Sequence, residues 1–348
     1  IQLVGGVGVI VFILAILAPP GTGSFTLYKS EAREDKMHPS ITSTVKSMWW
    51  IFIVYTLFGI ALFYLSGMSM WEAINHCMTG LSTGGFSITD GSMMKYGLFP
   101  QLSIILMMII GAIAFVSHHH LFKGRIKKFL LDPQVKALFI MIFFGGLLLA
   151  GINYFSPVYS SFSQSLQDSV FQYVSALTCT GFSTVDISAW GDAAKLILSL
   201  AMIIGGAAGS TAGGIKLFRA VLLSKGVFWR TRQAISSPRR VFSHKLGEKF
   251  LSEEEYKNEV NEAAVISFLW ATFLFVGILI FSIIMPGYDL IDIIFEICSA
   301  QGNVGLSAGL TSTMMPNLAK VVMMFNMWIG RLEIIPIVVL FKSIFGRD

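Results

Sequence analysis

Long apolar runs, separated by polar loops, dominate the hydropathy pattern of the chain. A helix that crosses the hydrocarbon core of a bilayer needs about 18 to 25 consecutive apolar residues. The runs that qualify lie at 3–19, 45–66, 100–120, 134–156, 194–223, 262–285 and 317–341. The first run is barely long enough, and it lacks the basic start and the cleavage site of a signal peptide. The pattern therefore predicts an all-α membrane protein.

Three segments between the runs, 67–99, 157–193 and 286–316, are too apolar for simple loops and too short to cross a membrane twice. Short apolar stretches of this kind are typical of re-entrant helices, which enter the membrane and return to the same side. Non-helical backbone at membrane depth is tolerated only where protein buries it or where it lines water. We therefore expect the three segments to form walls of one pore.

A related phrase ends each of these segments, at 82–87, 178–183 and 302–307. The shared core is glycine, then Phe or Leu, then serine. An acidic residue stands 13 positions before each phrase glycine, and an Ile-Gly pair follows in the next apolar run. The acids are Glu72, Asp168 and Asp292, and the pairs are Ile110-Gly111, Ile204-Gly205 and Ile329-Gly330. The unit of helix, pore helix, glycine phrase and helix thus occurs three times.

The first run fits the last part of one more unit. Its pair Val4-Gly5 takes the place of Ile110-Gly111, which predicts a further glycine phrase ahead of residue 1. We expect repeated units around a pseudo-fourfold pore, with the first unit truncated to its second helix. The expected divisions are 1–22 for that helix, 44–125 for repeat 2, 134–223 for repeat 3 with a broken second helix, 224–261 for a basic cytosolic loop and 262–342 for repeat 4.

The glycine phrases have the composition of an ion filter. Such a filter points backbone carbonyls at a common axis to replace the hydration shell of an ion, and glycine adopts the required positive φ at little cost. The phrases contain no Asp or Glu, which favours a monovalent over a divalent cation. A plain turn would explain one phrase, but three equivalent phrases favour a filter. The candidate filter residues are Ser82, Thr83, Gly84, Gly85, Thr178, Cys179, Thr180, Gly181, Gly302, Asn303, Val304 and Gly305.

Residues 205–214 read GGAAGSTAGG and interrupt the apolar run 194–223. Each glycine disfavours a helix by roughly 1 kcal/mol relative to alanine, so we expect a broken helix that lines a cavity and acts as a gate. Close packing of small residues between helices is the alternative. Lys216, which follows, lies either near the pore or at the cytosolic surface. The candidate gating residues are Gly205, Gly206, Gly209, Ser210, Thr211, Gly213 and Gly214.

The last apolar run, 317–341, carries Arg331 and Glu333. Charged residues within a membrane span are rare, and they usually face the interior of the bundle or a cavity. The repeat puts Arg331 at the depth of Ala112 and Gly206, so we expect it to face the pore. A pair formed by Arg331 and Glu333 for packing alone is the alternative.

Composition and charge agree with a membrane protein. Hydrophobic residues make up 54% of the 348 residues and charged residues only 13%, which excludes a soluble enzyme, a nucleic-acid binder and a disordered protein. The basic segments 23–46, 121–136 and 224–250 and the C-terminal tail belong on the cytosolic side by the positive-inside rule. The three cysteines are too scattered for a disulfide framework or a metal site, and His118 to His120 point in different directions on a helix.

In these features the chain resembles the Trk/Ktr/HKT superfamily of potassium transporters, in particular membrane pore subunits of the TrkH and KtrB type. The resemblance covers essentially the whole chain and is most specific at 205–216, 302–307 and 330–334. It implies potassium uptake through four membrane–pore–membrane repeats, arranged like a tetrameric potassium channel. The functional positions that it implies are the filter glycines Gly85, Gly181 and Gly305, the gating loop 205–214 and the pore-facing Arg331.

The resemblance also implies partners and a location. Members of the superfamily form homodimers, and cytosolic nucleotide-binding subunits of the RCK type (TrkA or KtrA) gate them. We therefore expect potassium at the filter, no organic cofactor in this chain, no enzymatic activity, and a multi-pass protein in the lipid of a prokaryotic plasma membrane. A secondary transporter coupled to sodium or protons, or a sodium-permeable relative, is the alternative. The common orientation of the units favours the channel-like pore.

Overall fold

The computed structural model describes residues 2–7, 41–237, 244–247, 249–331, 334 and 342–343. The helices are α1 (Gln2–Val7), α2 (Ile41–Leu65), α3 (Met70–Leu81), α4 (Leu98–Ala112), α5 (Phe115–Phe122), α6 (Ile126–Leu131), α7 (Pro133–Tyr154), α8 (Phe162–Leu177), α9 (Asp192–Ile204), α10 (Leu217–Ile235), α11 (Glu253–Ile284), α12 (Leu290–Gly302) and α13 (Asn317–Arg331). A 3-10 helix (Ile187–Ala189) and an antiparallel hairpin of β1 (His244–Leu246) and β2 (Lys249–Leu251) complete the described elements. The predicted all-α fold class is confirmed.

The same three-helix unit occurs three times in the described chain. An outer helix, a pore helix and an inner helix follow one another as α2, α3 and α4, then as α7, α8 and α9, and then as α11, α12 and α13. The pore helices have 12, 16 and 13 residues, so each is too short to cross a bilayer. Each therefore dips into the protein and returns, as the apolar segments between the runs predict.

Neighbouring units pack through one recurring contact between helices. The pore helix α8 packs on α4, and the pore helix α12 packs on α9, so each rests on the inner helix of the preceding unit. The pore helix α3 packs on α1 in the same manner. The short helix α1 thus occupies, against the first described pore helix, the place that an inner helix takes elsewhere.

Three described helices are long and apolar enough to cross a membrane, within Ser43–Leu65, Pro133–Tyr154 and Glu253–Ile284. Their outward faces carry large apolar side chains such as Phe143, Phe144, Phe268, Phe275 and Ile283, which are exposed in the isolated chain. Soluble proteins rarely expose so much contiguous apolar surface, because water penalises it. These faces therefore suit lipid, and the chain is a multi-pass membrane protein.

One predicted span, 100–120, is wrong as a single straight helix. The chain bends by 104° between α4 and α5, at Ile113 and Ala114. The backbone leaves the helix because its polar groups find partners in the glycine-rich segment 205–214. The Phe115 N–H donates to the Gly209 carbonyl at 2.9 Å, and the Ala112 carbonyl accepts from the Ala207 N–H at 2.9 Å. Hydropathy cannot reveal this break, since α4 and α5 taken together are apolar enough for one span.

Much of the predicted basic loop 224–261 is ordered secondary structure. Helix α10 continues to Ile235, the hairpin follows, and α11 begins at Glu253. Ser252 and Glu255 form a capping box, in which each side chain accepts a hydrogen bond from the other's backbone N–H. This cap starts α11 well before the apolar run 262–285, so the helix extends beyond the membrane core.

A buried ion pair joins the last two units. The Nζ atom of Lys195, on α9, lies 2.6 Å from Oδ1 of Asp292, at the start of the pore helix α12. The Lys195 side chain is only 6% exposed, so its charge depends on this partner. The pair fixes the outer end of one pore helix against the preceding inner helix.

Candidate filter and gate

All three pore helices end in the same backbone conformation. The residue two positions before each phrase glycine has a left-handed φ, of 48°, 53° and 54° for Thr83, Cys179 and Asn303. Its N–H donates to the carbonyl three residues earlier, and the next N–H donates to the carbonyl five residues earlier. This pair of bonds is the Schellman ending of a helix, which is usually made with glycine.

The phrase glycines follow with a second positive φ, of 65° at Gly85, 93° at Gly181 and 100° at Gly305. Positive φ at glycine is what the sequence predicts for a filter. The left-handed Thr, Cys and Asn two positions earlier were not predicted. A left-handed residue with a side chain costs about 1 kcal/mol or more, so surrounding contacts must hold all three in place.

Neighbouring phrases lie in direct contact. A Cβ atom placed on Gly85 would lie 1.9 Å from the carbonyl oxygen of Thr180, and one on Gly181 would lie 2.0 Å from that of Val304. Side chains at these two glycines would therefore overlap a carbonyl of the next phrase. The three phrases thus approach one another in chain order, with backbone oxygens at their contacts.

The polar side chains of the phrases mostly brace the protein. The hydroxyls of Ser82 and Thr178 each donate to a carbonyl four residues earlier in their own pore helix, at 2.7 Å. Asn303 Nδ2 donates to the Met327 carbonyl on the inner helix α13, at 3.2 Å. Cys179 is fully buried. Backbone oxygens, rather than these side chains, therefore lie at the contacts between neighbouring phrases.

The segment 205–214 lies in the break between the inner helix α9, which ends at Ile204, and α10, which begins at Leu217. Its Thr211 is buried and connects two units. The Thr211 hydroxyl lies 2.9 Å from the Gly111 carbonyl, 3.2 Å from the Leu81 carbonyl and 3.1 Å from the Thr83 hydroxyl. The segment therefore lies directly against the first described phrase.

The same segment touches the last phrase through Gly213. A Cβ on Gly213 would lie 2.0 Å from the Gly302 carbonyl oxygen, so only glycine permits this approach. At its other end the Ala208 N–H donates to Oε1 of Gln134 on the outer helix α7, at 2.8 Å. Gln134 could not be singled out from the sequence, because a single glutamine at the start of a span is unremarkable by type.

The two candidate cations donate hydrogen bonds to adjacent carbonyls of the segment 205–214, those of Thr211 and Ala212. Arg331 donates through Nη1 to the Thr211 carbonyl at 3.4 Å and through Nη2 to the Gly5 carbonyl at 2.9 Å. Lys216 has a φ of 80°, and its Nζ donates to the Ala212 carbonyl. Lys216 is thus turned back onto the segment 205–214. Glu333, the alternative partner of Arg331, lies outside the described residues.

The acids that precede the phrases stabilise the outer ends of the units. Glu72 forms a capping box with Ser69 and an ion pair of 2.9 Å with Lys95. Hydrogen bonds from the Ser69 N–H and from the side chains of Lys95, Ser69 and Tyr96 lower the pKa of Glu72 to about 2. Glu72 therefore carries its charge at every physiological pH.

The histidine run contributes to packing. His118 bridges the Tyr55 hydroxyl and the Ile110 carbonyl, both at 2.9 Å. Its two ring nitrogens are thereby occupied. Within the described residues no group of three or more His, Cys, Asp or Glu side chains is placed to hold a metal ion.

Comparisons with known proteins agree on one family. The profile of the TrkH family, described as a cation transport protein, matches residues 1–347. A cation transporter of Methanocaldococcus jannaschii is 37% identical over 99% of this chain and 69% of its own length. The Trk system potassium uptake protein TrkH of Escherichia coli is 31% identical over 100% of this chain and 72% of its own length.

A solved structure matches as well. The potassium transporter TrkH from Vibrio parahaemolyticus aligns with a TM-score of 0.81 and 28% identity, over 99% of this chain and 71% of that one. These relatives are transporters, which points to a protein that is not an enzyme. The repeated units, the family profile and the structural match lead to one conclusion: the chain belongs to the TrkH family of cation transport proteins.

Proposed function

We propose that the chain takes up potassium ions through a channel-like pore whose filter is formed by the three glycine phrases. The observation that carries the proposal is their shared backbone conformation, with Gly85 and Gly181 each packed against a carbonyl of the next phrase. In the proposed pore these oxygens replace water around a monovalent cation.

Potassium is the proposed ion because relatives named for potassium uptake match the chain along its whole length. Potassium is here the transported substrate, and the chain needs no organic cofactor to bind it. The sequence of the phrases supports this choice, because a ring of backbone oxygens without carboxylates suits a large monovalent cation better than a divalent one.

The segment 205–214 is the proposed gate. Its contacts with Thr83 and Gly302 support a position beneath the filter, and Arg331 hydrogen-bonds to its backbone. A cation at that depth would oppose the passage of potassium until the segment moves. Lys216 follows this segment, donates a hydrogen bond to its Ala212 carbonyl and would move with it.

The proposed regulator is a cytosolic nucleotide-binding subunit of the RCK type, acting on a homodimer of the membrane protein. The surface offered to it consists of α10 and the hairpin, whose basic residues favour the cytosolic side of a prokaryotic plasma membrane. Trp229, His244 and Tyr256 pack together there, with 4.3 Å between the stacked His244 and Tyr256 rings. This packing joins α10, the hairpin and α11, so a displacement of the regulator at this surface would be passed on to both helices.

An ion-coupled secondary transporter is the second candidate, and broken helices are the feature that favours it. Among the residues that the structure describes, two inner helices break, at 113–114 and at 205–216. Coupled uptake would saturate and would require a gradient of sodium or protons. A passive pore would pass ions down the potassium gradient alone.

The proposal is tested by rubidium uptake into proteoliposomes. The protein is reconstituted in the form that its cell produces. Competition by potassium but not sodium is the expected result. Equal competition by both ions would indicate a sodium-permeable relative, and dependence on a sodium or proton gradient would indicate the coupled transporter. Absence of uptake, with or without the cytosolic subunit, would overturn the pore.

A glycine pair sharpens this test. Gly85→Ala places a methyl group against the Thr180 carbonyl and should reduce rubidium uptake by about tenfold or more. Gly97→Ala is the matched control, because Gly97 has ordinary backbone geometry and an added Cβ would meet no atom of the described residues within 4 Å. Equal uptake by the two variants would count against the filter.

A further inference from the structure

Each pore helix carries one buried polar residue nine positions before its phrase glycine. These residues are His76, Gln172 and Glu296, and at most 1% of each is exposed. Three different side chains occupy this one position, and none of them is apolar. Burying a polar group costs free energy unless it is hydrogen-bonded, so packing alone does not explain the choice.

All three residues bind the same partner, the serine two positions after the phrase glycine. His76 Nε2 lies 3.0 Å from Ser87 Oγ, and Gln172 Nε2 donates to Ser183 Oγ at 2.7 Å. In the last unit the direction is reversed, and Ser307 Oγ donates to Glu296 Oε1 at 2.5 Å. Each bond connects the middle of a pore helix with the residues that follow its own phrase glycine.

The bond in the last unit is part of a larger set. Oε1 of Glu296 also accepts from the N–H groups of Ala308 and Leu310, at 3.0 and 3.2 Å, and Oε2 accepts from the Thr311 hydroxyl at 2.9 Å. The carboxylate thus gathers the chain from 307 to 311 around one buried point. Such a set of hydrogen bonds fixes residues 307–311 more firmly than a single bond can.

We propose that His76, Gln172 and Glu296 are positioning residues that hold the three phrases at a fixed separation and thereby set the preference for potassium over sodium. The inference rests on the proposed filter. In a snug-fit filter the carbonyl oxygens reject the smaller ion because they cannot close around it, so the residues that follow each phrase glycine must be held back from the axis. The serine bonds supply that restraint by tying these residues to their own pore helix.

Two serine variants test the inference with little risk to folding. Ser183→Ala and Ser307→Ala each remove the hydroxyl that meets the pore helix. Each should lower the ratio of potassium to sodium competition against rubidium uptake by about three- to tenfold, the effect expected from one lost hydrogen bond. Ser103→Ala is the control, because this buried hydroxyl bonds only within its own helix, to the Phe99 carbonyl, and its removal should leave the ratio at the wild-type value.

A pair of Glu296 variants separates positioning from packing. Glu296→Gln keeps an acceptor for Ser307, Ala308 and Leu310, so the potassium preference should stay within about twofold of wild type. Glu296→Leu fills similar space without any acceptor and should lower the preference at least as much as Ser307→Ala. If Glu296→Leu does not fold, the two serine variants decide.

The outcomes keep this inference apart from the proposed function. Wild-type uptake without potassium preference would overturn the proposed filter and this inference together. A potassium-selective wild type whose ratio is unchanged in Ser183→Ala and Ser307→Ala would overturn this inference alone. A lowered ratio in both serine variants, with an unchanged ratio in Ser103→Ala, would support it.

Discussion

The hydroxyl of Thr211 lies 3.1 Å from the hydroxyl of Thr83, which joins the broken inner helix of one unit to the glycine phrase of the unit before it. Both side chains are buried, and Thr83 holds a left-handed φ of 48°. A strained residue keeps its conformation only while its neighbours enforce it. Movement of the segment 205–214 would therefore directly change the conformation of the phrase 82–87.

Thr211→Val should open the proposed gate. Valine keeps the shape of threonine but cannot bond to Thr83 or to the Gly111 carbonyl, so the segment 205–214 is held less firmly. We expect rubidium uptake without the cytosolic subunit to rise by about three- to tenfold. Thr211→Ser, which retains the hydroxyl, should stay near wild type, and equal uptake by the two variants would argue against the gate.

Arg331→Gln should also raise uptake without the cytosolic subunit, by about tenfold, because it removes a positive charge from the proposed ion path. Arg331→Lys is the control, since it keeps the charge while losing the planar fork that reaches both Thr211 and Gly5. Rubidium flux through both variants measures the difference. An equal rise in both would assign the effect to the lost hydrogen bonds and not to the charge.

Gly181→Ala should abolish selective uptake through steric overlap. Its Cβ would lie 2.0 Å from the Val304 carbonyl oxygen, and its φ of 93° adds backbone strain. Gly67→Ala separates the two effects, because Gly67 has a φ of 98° but open space around it. We expect Gly67→Ala to cost only about 1 kcal/mol of stability and to leave rubidium uptake intact. Loss of uptake in both variants would contradict this assignment.

Lys195→Met should destabilise the protein, because it leaves Asp292 without its partner at the contact between two units. We expect a loss of about 2 to 4 kcal/mol, seen as a lower midpoint of thermal unfolding in detergent. Lys95→Met is the comparison, since Lys95 and Glu72 form an exposed pair within one unit. Such pairs contribute little, so the midpoint should hardly change. Similar shifts in both variants would rule out a special role for the buried pair.

The capping box at Glu72 should make the stability of the folded protein depend on pH in the acidic range. Hydrogen bonds lower the pKa of Glu72 from 4.5 to about 2, so the charged side chain stabilises the folded state above pH 4.5. That contribution disappears as the pH falls from about 4.5 towards 2. The difference in thermal midpoint between wild type and Glu72→Gln should therefore narrow between pH 7 and about pH 3. A constant difference over this range would contradict the assignment.

Local sequence determined the repeating unit of this protein. Apolar runs long enough for a bilayer, acids 13 positions before Gly85, Gly181 and Gly305, and the glycine phrases all follow from residue type and spacing. These signals are local, because helix length, helix caps and positive φ depend on a few neighbouring residues. They sufficed to predict an all-α membrane fold and the place of the three phrases.

Other features depend on contacts between residues far apart in the chain. The bend at 113–114 exists because Phe115 and Ala112 bond to the segment 205–214, and the left-handed Thr83 is supported by Thr211. No pattern in either stretch reveals its partner. Residues such as Gln134 and Glu296 were not singled out from the sequence, because their roles depend on the backbone that folds against them.

The sequence by itself thus determined that three similar units are present and which residues end each pore helix. Only the tertiary structure decided how the units meet: that Gly85 faces the Thr180 carbonyl, that Thr211 touches Thr83, and that Lys195 pairs with Asp292. The physical reason is the distance along the chain over which each interaction acts. Helix and turn preferences act over a few residues, whereas close packing and buried hydrogen bonds select one arrangement of whole units.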